Sequence, residues 1–337
     1  MELEMDDLEL IHALQIAPRV GWTDAGAVLG RHPTTLASRW SRLRAGGLAW
    51  VTGHLMGSPD QMTLSLHDID CEPGQRSDVA EALCCIPEVI SVEETARNRD
   101  FTLTVITRDW AELTRRVIPQ FADIPGMVRY QSALVTAHHA GGNAWRLDVL
   151  SPAQQSALRR LARPPSSPVV VRLPAAYWPI VRVLGRDGRA TAADIAAVTG
   201  QHPSTVRRQL AKVLDSGTLS FRCEIAQDYS GFPISCQWYA NVPPSDHTAA
   251  AGFLARYRNL RFCASTTGSS NFTFVLWLRD ASGVAEIESE FLAAVPTARI
   301  LESSVTVNFL KRVGWRLAPD GTSTGEVVVP QYPAAMA

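Results

Sequence analysis

The chain has 337 residues, enough for two to four domains that each bury a core. Its hydrophobic content of 46% and charged content of 19% are those of an ordinary globular protein. A formal net charge of −1 excludes a uniformly basic, nucleic-acid-coating chain but leaves room for local basic patches. No apolar run approaches the roughly 20 residues of a membrane helix. The acidic start MELEMDDLEL is unlike a signal peptide, so we expect a cytoplasmic protein without a membrane partner.

Residues 1–55 have the pattern of a helix-turn-helix domain. The first helix is indicated by apolar residues at helical spacing, namely Leu8, Ile11 and Leu14. A second short helix is expected after Thr23, its predicted N-cap, and ends at Gly30. A third helix begins near Pro33, whose missing N–H is not needed in a first helical turn.

The third helix has an apolar face and a basic face. Its inward stripe is Leu36, Trp40 and Leu43. The outward residues that we select as DNA-binding candidates are Thr34, Thr35, Ser38, Arg39 and Arg42. Hydroxyls near a helix start contact phosphates, and arginine makes bidentate contacts to base edges, so this face suits a major-groove reader.

Residues 60–140 predict a second, mixed domain. A strand is expected at 62–69, a helix at 78–86, a strand at 101–107, an amphipathic helix at 110–121 and a closing strand at 127–136. Residues 141–174 are rich in Gly, Pro and Ser and predict a linker. Inside it, SPAQQSALRRLA indicates a short helix with Ser151 as N-cap and Gln154 as its capping-box partner.

The remaining sequence repeats this plan. A shift of 170 residues places DAGAVLGRHPTTL on DIAAVTGQHPSTV, so that Gly30 falls on Gly200 and His32 on His202. We therefore expect a second helix-turn-helix at 175–226, a second mixed domain at 232–318 and a flexible tail at 319–337. The DNA-binding candidates of this copy are Ser204, Thr205, Arg207, Arg208, Gln209 and Lys212. The alternative for one copy, a scaffold with a solvated basic face, is less favoured because the pattern occurs twice.

The phrase RHPTTLASRWSRL resembles the helix-turn-helix of the Lrp/AsnC (feast–famine) transcription regulators through Pro33, Thr34, Arg39, Arg42 and Leu43. GRDGRATAADIAAVTG, at 185–200, resembles the passage into the second helix of that domain. The resemblance implies an α+β protein with two winged-helix-like helix-turn-helix domains and two ferredoxin-like βαββαβ effector domains. It also implies that one chain is equivalent to a family dimer on double-stranded DNA, and that chains assemble into a homo-oligomer, a dimer or a tetramer.

Effector pockets in that family lie near a turn of the type Thr-Gly-x-x-Asp. The second copy offers Thr267, Gly268, Ser269 and Asn271 at this turn, and the first offers Asn98 and Asp100. The first turn lacks the glycine, so we expect it to have lost its ligand. The resemblance implies a small metabolite such as an amino acid, and an ordinary hairpin turn is the alternative.

The two copies are not equal. The recognition helices expose different residues, so we expect two unequal half-sites in the DNA. Arg207 and Arg208 are adjacent where the first copy has Ala37 and Ser38. If one copy has become structural, the first is our candidate.

We find no motif for catalysis, cofactor or metal. The sequence lacks a P-loop, a GxSxG elbow, a GxGxxG turn and His/Cys ligand clusters, and we predict that the protein is not an enzyme. The adjacent pair His138 and His139 is expected to be solvated in the linker. Six scattered cysteines predict reduced thiols. The alternative function is a non-catalytic interaction module whose helix-turn-helix units serve oligomer contacts.

Overall fold

The computed structural model describes residues 3–55, 62–142, 145–162 and 173–329, and it has the mixed α/β class that the sequence predicts. The chain forms two compact units. Unit 1 consists of Met1–Ser58, Arg146–Ala226 and Thr322–Ala337, and unit 2 consists of Pro59–Trp145 and Gln227–Gly321. Each unit therefore combines segments from both halves of the sequence.

Both halves share the order of three helices, two strands, a helix, two strands, a helical segment and a strand, and the second half adds one helix before it and two strands after it. The first half contains α1 (Met5–Ile16), α2 (Trp22–Leu29), α3 (Pro33–Ala45), β1 (Ala49–Leu55), β2 (Thr63–Cys71), α4 (Arg76–Cys85), β3 (Val89–Thr95), β4 (Phe101–Thr107), α5 (Trp110–Glu112), α6 (Ile118–Ala122) and β5 (Met127–Ala140). A π-helical turn, Leu113–Val117, connects α5 to α6. The second half contains α7 (Pro152–Leu161), α8 (Trp178–Arg186), α9 (Ala192–Thr199), α10 (Pro203–Asp215), β6 (Leu219–Ile225), β7 (Ile234–Asn241), α11 (His247–Leu254), β8 (Leu260–Thr266), β9 (Phe272–Leu278), α12 (Ser282–Ala294), β10 (Arg299–Arg312), β11 (Trp315–Leu317) and β12 (Ser323–Val327).

Glycines fix the turn between the paired helices of unit 1. Helix α2 ends at Gly30 with φ +67°, and α9 ends at Gly200 with φ +69°. Because these angles strain an L side chain, glycine is the residue that suits both positions. The predicted N-cap Thr23 is wrong: α2 begins at Trp22 with Gly21 as N-cap, so Thr23 lies inside the first turn.

The apolar stripes of the third helices are buried. Leu36, Trp40 and Leu43 of α3 and Val206, Leu210 and Val213 of α10 all face the interior of unit 1. The helical spacing in the sequence therefore identified the inward face of both helices.

Strands β1 and β6 join the two halves of unit 1 in an antiparallel ribbon. Thr52 lies opposite Arg222, and these positions are 170 residues apart, as are Gly30 and Gly200. The ribbon therefore places a pseudo-two-fold axis at this pair.

Two arginines exchange contacts across the same axis. Arg19 donates hydrogen bonds to the carbonyl oxygens of Gly188 and Ala190. Arg189 donates to the carbonyl oxygens of Pro18, at 2.7 Å, and Val20, at 2.8 Å. Each arginine contacts the loop that carries the other, so equivalent hydrogen bonds connect the two halves of unit 1.

Unit 2 is built on a closed sheet of eight strands. The order within one half is β5-β2-β4-β3, and within the other it is β8-β9-β7-β10. β5 pairs with β8, and β10 pairs with β3, so the two four-stranded sheets close into one ring. The sequence predicted two effector domains but not the pairing of their sheets into one ring. The pattern of apolar residues in a strand does not specify which other strand its edge pairs with.

Helices cover the outer face of the closed sheet. One apolar core forms around Phe101, Leu103 and Phe121, and the other around Phe272, Phe274 and Phe291. The strands turn their alternate side chains inward, and many of these are polar, such as Asp68, Thr102, Gln237 and Thr273. All six cysteines are free thiols, and only Cys85 is exposed.

The predicted linker is partly ordered. Helix α7 begins with the Ser151–Gln154 capping box, and its Leu158 is buried in unit 1. The backbone N–H of Leu147 donates to Gln15 at 2.8 Å. Residues 143–144 and 163–172 of this segment lie outside the described residues. Of the predicted tail, Ser323–Val327 forms β12, and residues 330–337 lie outside the described residues.

Candidate functional site

Helices α3 and α10 each begin with a histidine cap. The Nδ1 atom of His32 accepts a hydrogen bond from the Thr34 N–H at 3.4 Å, and that of His202 accepts one from the Ser204 N–H at 3.3 Å. The ring nitrogen of each histidine therefore accepts the kind of hydrogen bond that a serine or aspartate oxygen accepts at the start of many helices. The neighbouring residues Thr34 and Ser204 are exposed.

The arginines of α3 are bound by carboxylates of the N-terminal segment. Arg39 contacts Glu4 at 2.9 Å, Asp6 at 3.2 Å and Asp7 at 2.8 Å. Its side chain is only 17% exposed. The hydrogen bonds that Arg39 donates to Asp7 and Glu4 hold the pKa of its guanidinium well above the usual value. The guanidinium is thus neutralised within the protein.

Arg42 shares the same partner. It contacts the buried Asp7 at 2.7 Å, although its own side chain is 48% exposed. Of the predicted DNA-binding residues of the first copy, Thr34, Thr35 and Ser38 remain exposed without a charge. The outer face of α3 is therefore polar, and carboxylates of the N-terminal segment neutralise the charges of Arg39 and Arg42 on it.

The basic residues of α10 have no such partners. Arg207, Arg208 and Lys212 are exposed, and no described carboxylate pairs with them. At the positions that correspond to Glu4, Asp6 and Asp7, the second copy has Pro174, Ala176 and Tyr177. Thr205 and Gln209 are partly exposed on the same helix. Helix α10 therefore has an exposed face whose positive charges are not paired with carboxylates of the described residues.

A cavity of about 440 Å³ lies in unit 2 where the two predicted effector turns meet. Its wall includes Asn98, Thr267, Gly268 and Ser269, four of the six residues that the sequence analysis selected. The closed sheet brings these turns together although they are far apart in the sequence. Their role in binding an effector stays a prediction.

The first turn forms without the expected glycine. Asn98 takes the left-handed conformation, with φ +64°, whereas the second turn uses Gly268 with φ +114°. Asparagine tolerates this conformation better than other side chains. The left-handed position of the first turn lies one residue after the site aligned with Gly268, and the expected loss of its ligand stays a prediction.

Asp100 and Asn271 face away from the cavity. An oxygen of Asp100 accepts a hydrogen bond from the Cys71 N–H at 2.8 Å. Asn271 accepts from the Val242 N–H at 2.8 Å and donates to the Val242 carbonyl at 2.8 Å. Both side chains therefore tie a turn to the end of a neighbouring strand, at positions that the repeat makes equivalent.

The cavity also contains charged residues that the sequence analysis did not select. Arg99 contacts Asp68 at 3.3 Å and Glu302 at 2.7 Å, and Arg129 contacts Asp70 at 2.7 Å. Burial raises the pKa of Asp68 to about 6, and the nearby Arg99 offsets part of this effect. Asp68 lies in the strand predicted at 62–69 and Asp70 directly follows it, which was the available signal for these two carboxylates. The sequence analysis gave no signal for Glu302.

Three polar side chains form a chain at the edge of the second apolar core. The Ser265 hydroxyl lies 2.8 Å from His139 and 2.7 Å from His247. His138 and His139 belong to β5 and not to a linker, and His138 is exposed whereas His139 is partly buried. Within the described ranges, no group of three or more His, Cys, Asp or Glu side chains is placed to hold a metal ion. No helix of those ranges is long and apolar enough to cross a membrane.

Comparisons with known proteins place these features in a family context. Residues 66–142 match the family described as the Lrp/AsnC ligand binding domain. No curated protein sequence matches the chain. The siroheme decarboxylase NirDL has a similar fold over 92% of this chain and 93% of its own, with a TM-score of 0.58 and 10% identity.

Two further solved structures are similar to the chain to different extents. NirDL in complex with an iron-uroporphyrin III analogue covers 91% of this chain and 92% of its own, with a TM-score of 0.59 and 11% identity. The leucine response regulatory protein LrpA of Mycobacterium tuberculosis covers 44% of this chain and 99% of its own, with a TM-score of 0.37 and 19% identity. Identities this low establish similarity of fold alone.

The prediction that the protein is not an enzyme is contradicted. NirDL is a decarboxylase, and its fold extends over nearly the whole of this chain. Because one fold hosts many functions, the lack of common enzyme motifs in the sequence does not exclude catalysis.

Proposed function

We propose that the protein is a DNA-binding transcription regulator whose principal reader is α10. The observation that carries the proposal is the uncompensated charge of Arg207, Arg208 and Lys212 on an exposed helix face. Phosphates attract such a face, and arginine contacts base edges in the major groove. The Lrp/AsnC-type ligand-binding domain supports a regulatory role.

The pseudo-two-fold axis of unit 1 supports the idea that one chain acts as a family dimer. The β1–β6 ribbon and the Arg19/Arg189 contacts relate the two helix-turn-helix segments as a dimer axis would. A tandem duplication explains this arrangement, since linking two copies raises their effective concentration. The different faces of α3 and α10 favour unequal half-sites, and further self-association of chains stays a prediction.

The test is retention of sheared genomic DNA by the purified protein at two salt concentrations, followed by sequencing. We expect a few fragments to survive the higher salt and to contain one well-defined and one weakly defined half-site. Arg208→Ala should weaken binding by about 1–3 kcal/mol if this arginine reads a base. Arg42→Ala should have a smaller effect because Asp7 already binds that guanidinium.

Arg299→Ala, which removes an exposed arginine of unit 2, is the matched control and should leave retention unchanged. Equal losses for Arg208→Ala and Arg299→Ala would refute reading by α10. Perfect palindromes among the retained fragments would refute unequal half-sites.

A decarboxylation of a tetrapyrrole carboxylate is the second candidate function. The similarity of fold to NirDL over 92% of the chain favours it. The test is anaerobic incubation with siroheme and mass spectrometry of the pigment, with heat-denatured protein as control. Loss of carbon dioxide from the pigment would support this candidate, and an unchanged pigment would remove it.

A further inference from the structure

The cavity of unit 2 holds more carboxylates than guanidinium groups. Three carboxylates line it, Asp68, Asp70 and Glu302, together with Arg99 and Arg129. Arg129 pairs with Asp70 alone, at 2.7 Å, so these two charges cancel. The excess of negative charge in the cavity therefore lies in the group formed by Arg99, Asp68 and Glu302, which we call the triad.

Arg99 is shared between two carboxylates. Its Nη2 atom donates to both oxygens of Glu302, at 2.8 and 2.7 Å, and its Nη1 atom lies 3.3 Å from Asp68. Its side chain is only 6% exposed, and the guanidinium stacks 4.6 Å from the centre of the Tyr239 ring. Its Nε and Nη1 atoms are buried without a hydrogen-bond partner, but its single positive charge faces two carboxylates, so the triad has one negative charge in excess.

The excess negative charge of the triad is destabilised by burial. Burial raises the pKa of Asp68 to about 6, which shows that the ionised carboxylate is poorly solvated. In addition, the Tyr239 hydroxyl lines the cavity and is buried without a hydrogen-bond partner of normal geometry. A buried hydroxyl in this state is stabilised by any ligand that completes its hydrogen bonding.

We infer that this cavity binds a small organic cation, a primary ammonium compound, whose head group lies between Asp68, Glu302 and Tyr239. An ammonium has three N–H donors and no acceptor, which matches two carboxylate oxygens and one phenolic oxygen. It also supplies the one positive charge that the triad lacks. A carboxylate ligand is disfavoured because the cavity already holds three carboxylates against two guanidinium groups. The inference deepens the proposed function, since this ligand would be the effector.

The test is isothermal titration calorimetry of the full chain with four compounds of equal carbon length: butylamine, putrescine, 4-aminobutyrate and butyrate. We expect the two cations to bind, the zwitterion to bind more weakly and butyrate not to bind. Preference for butyrate, equal binding of all four, or absence of heat with both amines would overturn the inference.

Two substitutions locate the site. Asp68→Asn should weaken amine binding at least about tenfold, since the ion pair is lost. Glu302→Gln should act in the same direction and replaces it if Asp68→Asn does not fold. Glu286→Gln, an exposed carboxylate on α12, is the matched control and should bind amines normally. Unchanged affinity in both cavity variants would place the ligand elsewhere and refute the site.

The pH dependence has a definite sign. Arg99, Glu302 and Asp70 are the charged groups around Asp68. Because protonated Asp68 must lose its proton before it pairs with an ammonium, affinity should fall about tenfold from pH 7 to pH 5, and Asp68→Asn should abolish this dependence. DNA retention without ligand serves as an independent measurement. Amine binding without DNA binding would refute only the proposed function, and the reverse would refute only this inference.

Discussion

At the scale of single residues, one pair of positions shows how the repeat has diverged. Asp100 accepts a hydrogen bond from the Cys71 N–H and pairs with Arg76 at 3.6 Å, and a carboxylate serves both contacts. Asn271 both accepts from and donates to the backbone of the buried Val242, which requires an amide. The departure from aspartate in the second turn therefore has a structural cause.

Asn271→Ala should lower the free energy of unfolding by about 1–3 kcal/mol, because a buried backbone N–H loses its acceptor. Asp100→Asn should cost less, since an amide oxygen still accepts from Cys71. Urea unfolding followed by fluorescence measures both. Equal losses of unfolding free energy in the two variants would show that Asp100 and Asn271 stabilise the protein in the same way.

Residues whose roles follow from periodicity were predictable. The spacing of Leu36, Trp40 and Leu43 identified a buried face, and Gly30 identified a helix end. Asp68, Arg99 and Glu302 were not predictable as a group, because strand pairing alone brings them together. The compensation of Arg39 by Asp7 was missed for the same reason, since a sequence pattern does not show which exposed charges pair.

At the scale of elements, the loops before α2 and α9 carry the contact between the helix-turn-helix segments. Arg19 and Arg189 are both partly buried and donate to backbone carbonyls of the opposite loop, and Arg189 stacks 3.9 Å from the centre of the Trp22 ring. Arginine is suited to this place because its planar head donates to two carbonyls at once.

Arg189→Ala should therefore destabilise unit 1 by about 1.5–3 kcal/mol, since two charge-assisted hydrogen bonds are lost. Arg186→Ala, at an exposed position of α8, is the control and should change stability little. Thermal unfolding by circular dichroism compares the two. A loss in Arg186→Ala as large as in Arg189→Ala would mean that general charge, and not the exchanged contacts, is responsible.

At the scale of the whole molecule, the order of elements was largely predictable, but their assembly was not. The sequence indicated helices, strands and a repeat, and the structure arranges them in two units that each draw on both halves. Periodicity specifies which face of a strand is buried, and it leaves open which strand edge meets which. The closed sheet follows from the pairings of β5 with β8 and β3 with β10, which lie beyond any local signal.

The closed sheet has a consequence for the covalent chain. Both seams of the ring, and the β1–β6 ribbon, are made between the two halves and not within them. A break placed within residues 163–172 should therefore yield two fragments that copurify when they are expressed together. Each fragment alone should expose unpaired strand edges and aggregate. Separate elution of two well-behaved fragments would show that the peptide link, and not the shared sheet, holds the halves together.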